Sequence, residues 1–214
     1  MAVIVIERRA PAGERETRQF TAIYEASFPP EERDDTESQL TKLRSGSKDC
    51  YLAVDGEDLL GFALVSHFTD FPAGYLEYLA VDPAGRNAGI GSRILDYLRH
   101  DLTDGGRPDI GGIIFEVERP ADAKDDAERE LRERRIGFYQ RAGAVLVEGA
   151  GNYHAPSAVA DEMLYYLLMW LPVIPGAPPP AGERLRACVA AVLAEGYGLG
   201  RDNPLVLELA ADFS

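Results

Sequence analysis

Apolar residues recur along this chain with two spacings, one typical of strands and one typical of helices. Short apolar runs rich in aromatic and β-branched residues predict strands at residues 2–8, 50–54, 60–68, 75–81, 110–117, 144–148 and 162–171. Apolar residues at helical spacing predict helices at residues 14–28, 31–44, 90–102, 127–142 and 183–195. Residues 205–209 suit a further short strand, and residues 149–161 are expected to form a loop.

The segment from residue 75 to residue 102 organises the rest of the chain. It opens with the predicted strand, which Pro83 ends because proline has no N–H to donate to a neighbouring strand. Gly89 and Gly91 follow, and the apolar residues after them return at helical spacing. The predicted unit is therefore a strand, a glycine-bearing turn and a helix.

A turn of this kind is typical of an anion site. The first N–H groups of a helix have no partner within it and lie at the positive end of its dipole. Glycine removes the side chains that would keep a ligand away from the backbone, so a phosphate or pyrophosphate is the expected occupant. The alternative is a helix that needs glycine only to pack closely on its strand.

Two common phosphate motifs are incomplete at this turn. A dinucleotide-binding G-x-G-x-x-G would need a third glycine where Ile94 stands. A P-loop would need Gly-Lys-Ser/Thr, and the chain has Gly91, Ser92 and Arg93 instead. A protein that binds NAD or a nucleoside triphosphate is therefore not favoured.

The turn instead resembles motif A of the Gcn5-related N-acetyltransferases (GNAT), Arg/Gln-x-x-Gly-x-Gly/Ala. Arg86, Gly89 and Gly91 fill its defined positions. Residues 79–83 also match the Leu-Ala-Val-Asp-Pro-like ending of the preceding strand in that family. The resemblance extends, with decreasing specificity, over residues 1–172.

The resemblance implies both a fold and a cosubstrate. The fold is α/β, with elements in the order βααβββαβαββ. Its mixed sheet of about seven strands is mostly antiparallel, with one splayed parallel pair, and is flanked by helices. Acetyl-CoA would bind with its pyrophosphate on the glycine turn and its pantetheine arm along the strand before it. The residues implied in coenzyme binding are Leu79, Ala80, Val81, Arg86, Asn87, Ala88, Gly89, Ile90, Gly91 and Ser92.

A second stretch, residues 136–144, resembles the Phe-Tyr-x-x-x-Gly-Phe sequence of the same family. The resemblance implies that Tyr139 lies beside the coenzyme sulfur and protonates the departing thiolate. The alternative is an amphipathic aromatic residue with its hydroxyl at the surface. Many family members have an asparagine seven residues earlier that contacts the coenzyme. This chain has Arg132 there, so that contact is expected to be lost or remade.

Transfer to an amine also needs a base, because an alkylamine with a pKa near ~10.4 is protonated at neutral pH. Glu77 and Glu116 lie on the two strands that flank the predicted cleft. A carboxylate among apolar neighbours can act directly or through water, although either residue could instead face solvent. His154 is a third candidate because a histidine titrates near neutrality.

Substrate contacts are predicted where the first two helices join, which lines the acceptor cleft in the family. Phe28, Glu31 and Glu32 lie at this join and are candidate contacts, as are Tyr153 and His154 in the later loop. A solvated turn with helix-capping acids is the alternative for the first three residues.

The chain is strongly acidic, with a net charge of −14 and a pI near 4.6. This charge argues against a nucleic-acid partner, whose phosphates would be repelled. It is compatible with a cationic amine substrate, and equally with a role in solubility alone. No apolar run approaches the ~20 residues that span a bilayer, so no membrane partner is expected. The short apolar run at residues 2–8 precedes its arginines, whereas a secretory signal has its charge first, so we expect a cytoplasmic protein.

A metal site is not expected. The two cysteines, Cys50 and Cys188, are far apart, and the three histidines show no ligand spacing. Two reduced and partly buried thiols are the simpler interpretation.

The 214 residues suit one domain with an appendage. We predict an acetyltransferase domain at residues 1–172. The appendage, residues 173–214, would be a proline-rich linker that is stiff and solvated, followed by a short helix and strand. Because so few residues bury little surface alone, the appendage is expected to pack on the domain or on a second copy of the chain, which makes a homodimer a candidate assembly.

The function predicted from these features is transfer of an acetyl group from acetyl-CoA to a primary amine by direct attack, without an acyl-enzyme. The alternative is a non-catalytic module that binds acyl-CoA on the same fold. Arg86, Gly89, Gly91 and Tyr139 favour catalysis, whereas Arg132 and the absence of an unambiguous base favour the alternative.

Overall fold

The computed structural model describes residues 4–85, 88–104, 109–159 and 161–213. Within these ranges the chain divides into two compact units. The first contains residues 4–66, 76–85, 88–104 and 157–159, and the second contains residues 67–75, 109–156 and 161–213. One strand, Ala73–Val81, contributes its first three residues to the second unit and the rest to the first.

The first unit is built on four neighbouring strands in the order β1-β2-β3-β4, of which β1 and β2, and β2 and β3, pair antiparallel. The strands are β1 (Val5–Arg8), β2 (Asp49–Asp55), β3 (Asp58–His67) and β4 (Ala73–Val81). The helices are α1 (Gly13–Ser27), α2 (Thr36–Arg44) and α3 (Ile90–Asp104), with short 3-10 turns at Pro30–Glu32 and Pro83–Gly85.

An aromatic cluster holds this unit together. Phe20 and Tyr24 are fully buried on one face of α1, as their helical spacing predicted. The Phe20 ring lies 4.4 Å from that of Phe62 on β3, and the Tyr24 ring lies 5.0 Å from that of Tyr78 on β4. Edge-to-face and offset contacts of this kind fix the orientation of the rings as well as burying them.

The second unit surrounds a long strand, β8 (Met163–Pro172). It also contains β5 (Gly112–Glu118), a 3-10 turn at Pro120–Asp122, α4 (Asp126–Arg141), β6 (Val145–Leu146), β7 (His154–Pro156), α5 (Glu183–Ala191), a π turn at Val192–Gly196 and α6 (Pro204–Ala211). Residues 73–75 of β4 pair in parallel with β5, and β8 pairs antiparallel with β5, β6 and β7. The predicted mixed sheet, mostly antiparallel with one parallel pair, is therefore confirmed.

The C-terminal segment, which we define as residues 173–213, shares a core with the strands of the second unit. Leu185, Cys188 and Val189 of α5 are buried in one cluster with Ile114 of β5 and Trp170 of β8. The segment begins close to the sheet, because the Trp170 indole N–H donates a hydrogen bond to the Ala177 carbonyl at 3.2 Å. The proline-rich stretch was predicted to be solvated throughout, and this prediction is wrong at Val173 and Pro180, which are buried.

Three further predictions need correction. The loop predicted at residues 149–161 contains the short strand β7, so the described strands number eight. Residues 205–209 form helix α6 instead of a strand, because the Asn203 side chain accepts a hydrogen bond from the Leu205 N–H and Pro204 stands at the first helical position. Helix α2 begins at Thr36, later than predicted, where the Asp35 carboxylate caps the Ser38 N–H.

The contact between Gly112 and Trp170 gives a test of the second unit. A Cβ at Gly112 would lie 2.3 Å from an atom of the Trp170 indole, so Gly112→Ala should lower the free energy of unfolding by about 2 kcal/mol through overpacking. Gly151→Ala is the matched control, because a Cβ there meets nothing within 4 Å. Urea unfolding followed by Trp170 fluorescence measures both, and equal stability of the two variants would contradict the packing.

Candidate active site

The predicted glycine turn leads directly into helix α3. Gly89 has a φ of 75°, a left-handed conformation that glycine adopts without strain. Its carbonyl accepts a hydrogen bond from the Arg93 N–H at 3.1 Å, so the helical ladder begins there. The N–H groups of the first turn therefore lack acceptors within the helix and lie at its positive end; they include those of Ile90, Gly91 and Ser92.

The space beside this turn is open. Among the described residues, a Cβ at Gly89 would meet no heavy atom within 4 Å, and Ala88 is exposed. An anion can thus approach the backbone from this side. Arg86 and Asn87, which the sequence also assigned to the coenzyme, lie outside the described residues.

The end of β4, which carries Leu79, Ala80 and Val81, lies against β3 with little clearance. A Cβ at Gly61 of β3 would lie 2.6 Å from the Ala80 carbonyl oxygen. The Asp82 N–H then donates to the Leu60 carbonyl at 2.9 Å. Gly61 therefore permits the close approach that fixes this strand end, while the binding of pantetheine along it stays a prediction.

Glu77 on β4 lies in a buried polar network of the first unit. Its carboxylate accepts hydrogen bonds from the Lys48 ammonium and the Ser66 hydroxyl, and Lys48 also donates to the Gln39 side chain at 3.3 Å. The side chains of Glu77 and Lys48 are only 6% and 10% exposed. A buried carboxylate paired with a cation favours a structural role, so a catalytic role for Glu77 stays a prediction.

The predicted substrate contacts at the join of α1 and α2 are held by backbone hydrogen bonds and ring packing. The Phe28 ring lies 4.8 Å from that of Tyr78. The Glu31 carbonyl accepts a hydrogen bond from the Ala158 N–H at 2.9 Å, and the Glu32 carbonyl accepts one from the Tyr78 hydroxyl at 3.4 Å. The exposed Glu31 side chain remains a candidate contact for an acceptor.

Tyr139 in the second unit is the one buried residue of α4 among those described. Its ring lies 4.4 Å from that of Phe115 on β5 and 5.0 Å from that of Phe138. Burial raises the pKa of Tyr139 to about 12, although the charge of Arg135 opposes the shift. The phenol therefore keeps its proton at neutral pH, as a proton donor must.

Arg132, which replaces the asparagine of many family members, connects α4 to the end of β5. Its guanidinium donates to the Arg119 carbonyl at 2.7 Å and to Glu128 at 2.8 Å, and it lies 3.4 Å from Glu118. These contacts give the arginine at this position a structural role. They also fix α4, the helix that carries Tyr139, against the end of β5.

The carboxylate of Glu116 on β5 accepts hydrogen bonds from three tyrosine hydroxyl groups, which come from distant parts of the second unit. Tyr153 donates to one carboxylate oxygen at 2.5 Å and Tyr75 to the other at 2.6 Å, while Tyr197 lies 3.0 Å from both. Burial, and after it the charge of Glu116, raises the pKa of all three tyrosines well above the ordinary value. All three therefore act as neutral donors to the carboxylate.

His154 lies next in sequence to Tyr153 but has different partners. Its ring lies 5.0 Å from that of Tyr165, and its Nδ1 atom lies 2.8 Å from the Asn152 carbonyl oxygen. Of the predicted site residues in this unit, the structure thus brings together Glu116 and Tyr153. The sequence analysis missed Tyr75 and Tyr197; the glycines on either side of Tyr197 were the only local sign of an unusual backbone there.

Comparisons with known proteins place these features in a family. The family model for the acetyltransferase (GNAT) family matches residues 15–110. A solved structure from Bacteroides thetaiotaomicron, assigned to the same family, is 30% identical, with 78% of this chain and 86% of that chain covered and a TM-score of 0.61. The chain belongs to the GNAT family of acetyltransferases. Acyl transfer is therefore its class of reaction.

More distant structures share the fold of this acetyltransferase. An aminoglycoside 6'-N-acetyltransferase in complex with coenzyme A is 19% identical over 82% of this chain and 99% of its own, with a TM-score of 0.60. The ribosomal-protein-S18-alanine N-acetyltransferase of Escherichia coli is 18% identical over 80% and 94%, with a TM-score of 0.54. Among curated protein sequences, none matches significantly.

Neither a metal cluster nor a membrane helix is found in the part of the acetyltransferase that the structure describes. No three histidine, cysteine or acidic side chains there come together as metal ligands. None of the described helices is long and apolar enough to cross a membrane. The free cysteines Cys50 and Cys188 are both buried.

A substitution can distinguish a structural role of Glu77 in this acetyltransferase from a role as the general base. Glu77→Gln removes the buried carboxylate nearest the Lys48 ammonium and leaves Lys48 with the more distant Asp34 carboxylate at 3.8 Å, so the free energy of unfolding should fall by about 3 kcal/mol. Glu14→Gln is the control, because Glu14 and Arg18 form an exposed pair, 91% and 71% exposed, whose loss should change stability little. Urea unfolding measures both variants. Unchanged stability of Glu77→Gln with a lost acidic limb in the pH–rate profile would instead assign Glu77 as the base.

Proposed function

We propose that this acetyltransferase moves an acetyl group from acetyl-CoA to the primary amine of a cationic acceptor by direct attack. The observation that carries the proposal is the turn at Gly89. Its left-handed backbone and open side leave the first N–H groups of α3 accessible to the coenzyme pyrophosphate. The family to which the chain belongs and the structural neighbour that holds coenzyme A support the same cosubstrate.

The proposed reaction needs one proton acceptor and one proton donor. The neutral amine attacks the thioester carbonyl carbon, a C–N bond forms, and the C–S bond breaks to release coenzyme A as a thiolate. Backbone N–H groups of residues 79–81 are proposed to stabilise the oxyanion that forms on the way. Tyr139 gives its proton to the thiolate, and the proton of the amine passes to a carboxylate directly or through water.

We assign the acceptor-side carboxylate to Glu116. Three hydroxyl groups, those of Tyr75, Tyr153 and Tyr197, hold the Glu116 carboxylate on a strand that flanks the predicted cleft, whereas the Glu77 carboxylate lies against the Lys48 ammonium. A carboxylate held in this way is proposed to attract the ammonium of an acceptor and to take up its proton. Tyr153, predicted to shape the acceptor site, belongs to the same cluster.

The acceptor is proposed to be a positively charged amine. The net charge of −14 favours attraction of such a molecule. The names of two structural neighbours give their acceptors as an aminoglycoside and the alanine of ribosomal protein S18, which differ greatly in size. Phe28, Glu31, Glu32 and His154 are the further residues proposed to contact it. Cytoplasmic location, self-association and the division at residue 172 stay predictions.

The coenzyme loop is tested by Gly89→Asp. The new carboxylate would repel the coenzyme pyrophosphate, and the left-handed backbone at residue 89 would be strained by a side chain. The Kd for acetyl-CoA should therefore rise at least about 100-fold. Gly56→Asp is the control, because Gly56 has a similar φ of 61° and open space in the turn between β2 and β3. Calorimetric titration measures both. Unchanged affinity of a folded Gly89→Asp variant would reject the loop.

The same titration of the wild-type protein, followed by an activity assay, distinguishes an acetyltransferase from a non-catalytic module that binds acyl-CoA. Acetyl-CoA should bind and NAD should not. Release of free thiol in the presence of spermine, kanamycin or a peptide with an N-terminal alanine then reports turnover. Binding without thiol release from any of these amines would favour the non-catalytic acyl-CoA-binding module.

The proton donor is tested by Tyr139→Phe, which should lower kcat about 100-fold and leave the Kd for acetyl-CoA unchanged. Because burial raises the pKa of Tyr139 to about 12, the hydroxyl stays protonated, and the wild-type kcat should not fall between about pH 8 and pH 10. Tyr97→Phe is the control, since Tyr97 is 38% exposed on α3. Full activity of Tyr139→Phe would remove this residue from the mechanism.

A further inference from the structure

The carboxylate of Glu116 is contacted by a residue from the far end of the chain. Tyr197 follows the π turn of the C-terminal segment and lies 81 positions from Glu116 in sequence, yet its hydroxyl is 3.0 Å from both carboxylate oxygens. Tyr75 and Tyr153 hold one oxygen each. Tyr197 therefore bridges the two oxygens and restricts rotation of the carboxylate about its terminal bond.

The backbone before Tyr197 is shaped to bring it there. The Tyr197 N–H donates to the Val192 carbonyl at 3.1 Å, a hydrogen bond across five residues that defines the π turn. A Cβ at Gly196 would lie 2.6 Å from a ring carbon of Tyr75. Only glycine lets the chain pass this ring so closely, and the next residue then reaches the same carboxylate as Tyr75.

Two polar contacts hold the segment on either side of Tyr197. The Glu195 carboxylate accepts a hydrogen bond from the Thr69 N–H at 2.8 Å. Arg201 pairs with Glu195 at 2.6 Å and with Asp70 at 3.1 Å. Residues 69 and 70 lie just before β4, so the segment is attached to the part of the unit that also carries Tyr75. These contacts fix the position of Tyr197 independently of its own hydroxyl.

We propose that Tyr197 is a positioning residue that holds the Glu116 carboxylate in the orientation needed to receive the acceptor amine. This inference rests on the proposed function, in which Glu116 is the acceptor-side carboxylate. The C-terminal segment then supplies part of the reaction machinery, in addition to burying the apolar surface of α5 and α6. Tyr75 and Tyr153 place the two oxygens, and Tyr197 prevents their rotation.

The test is Tyr197→Phe, which removes one hydroxyl and keeps the ring. Loss of a donor to the ionised carboxylate should move the titration midpoint of Glu116 to higher pH, as measured by NMR of protein with ¹³C-labelled glutamate carboxyls. With an acceptor found among spermine, kanamycin and the alanine peptide, kcat/KM should fall about tenfold. The Kd for acetyl-CoA should stay within about twofold, because the coenzyme turn does not involve Tyr197.

Two further variants make the result specific. Tyr97→Phe also removes one hydroxyl and should change neither the Glu116 titration nor kcat/KM. Arg201→Gln loosens the attachment of the segment at a residue that is 48% exposed, so it should move both quantities in the same direction as Tyr197→Phe by a smaller amount. It also provides a folded variant if Tyr197→Phe is unstable.

Each outcome decides the inference. A Glu116 titration that Tyr197→Phe leaves unmoved would overturn the contact. A moved titration with unchanged kcat/KM would show that the contact is structural and would overturn the positioning role. Wild-type protein that fails to bind acetyl-CoA, or that acetylates none of the three amines, would contradict the proposed function itself and remove the reaction in which Tyr197 would act.

Discussion

The second unit depends on the pairing of β8 with three other strands. β5, β6 and β7 all hydrogen-bond to it, and none of them pairs with another of the three. The pairing with β5 runs along the whole of that strand and brings Trp170 over Gly112. The same indole donates to the Ala177 carbonyl, so the chain that leaves β8 turns back towards the sheet. The contacts of β8 therefore determine where the C-terminal segment begins to pack against the sheet.

Two glutamates on adjacent strands carry their charge in different surroundings. Glu77 accepts hydrogen bonds from a buried ammonium, which balances its charge within the first unit. Glu116 accepts hydrogen bonds from three phenol groups, those of Tyr75, Tyr153 and Tyr197. Removal of one partner from the first arrangement would leave a buried charge poorly compensated, which is destabilising.

Local signals in the sequence were sufficient for the elements that depend on neighbouring residues. The turn at Gly89 and the helix after it, and the inward face of α1, follow from spacing within one element. The apolar character of residues 205–209 suits a strand as well as a helix. Asn203 and Pro204, which stand just before them, are a helix-capping signal, so the sequence does contain the information that distinguishes the two.

The surroundings of the glutamates could not be predicted in the same way. Lys48 and Glu77 are 29 positions apart, and Tyr197 and Glu116 are 81 positions apart. Such contacts depend on how strands pair and where a distant segment packs, and neither composition nor periodicity carries this information. Glu77 and Glu116 therefore looked alike in the sequence, although their partners differ.

The π turn makes the length of the C-terminal segment as important as its composition. A π turn holds one residue more than the α-helical turn that would otherwise close the same ladder. Deleting a single residue between Val192 and Gly196 would allow ordinary helical bonds to form, and the narrower turn would take up the loss because the two kinds of turn differ by that one residue. The hydrogen bond from the Tyr197 N–H to the Val192 carbonyl would be replaced by a shorter-range helical bond. The distance of 3.0 Å between the Tyr197 hydroxyl and the Glu116 carboxylate therefore depends on the width of this turn.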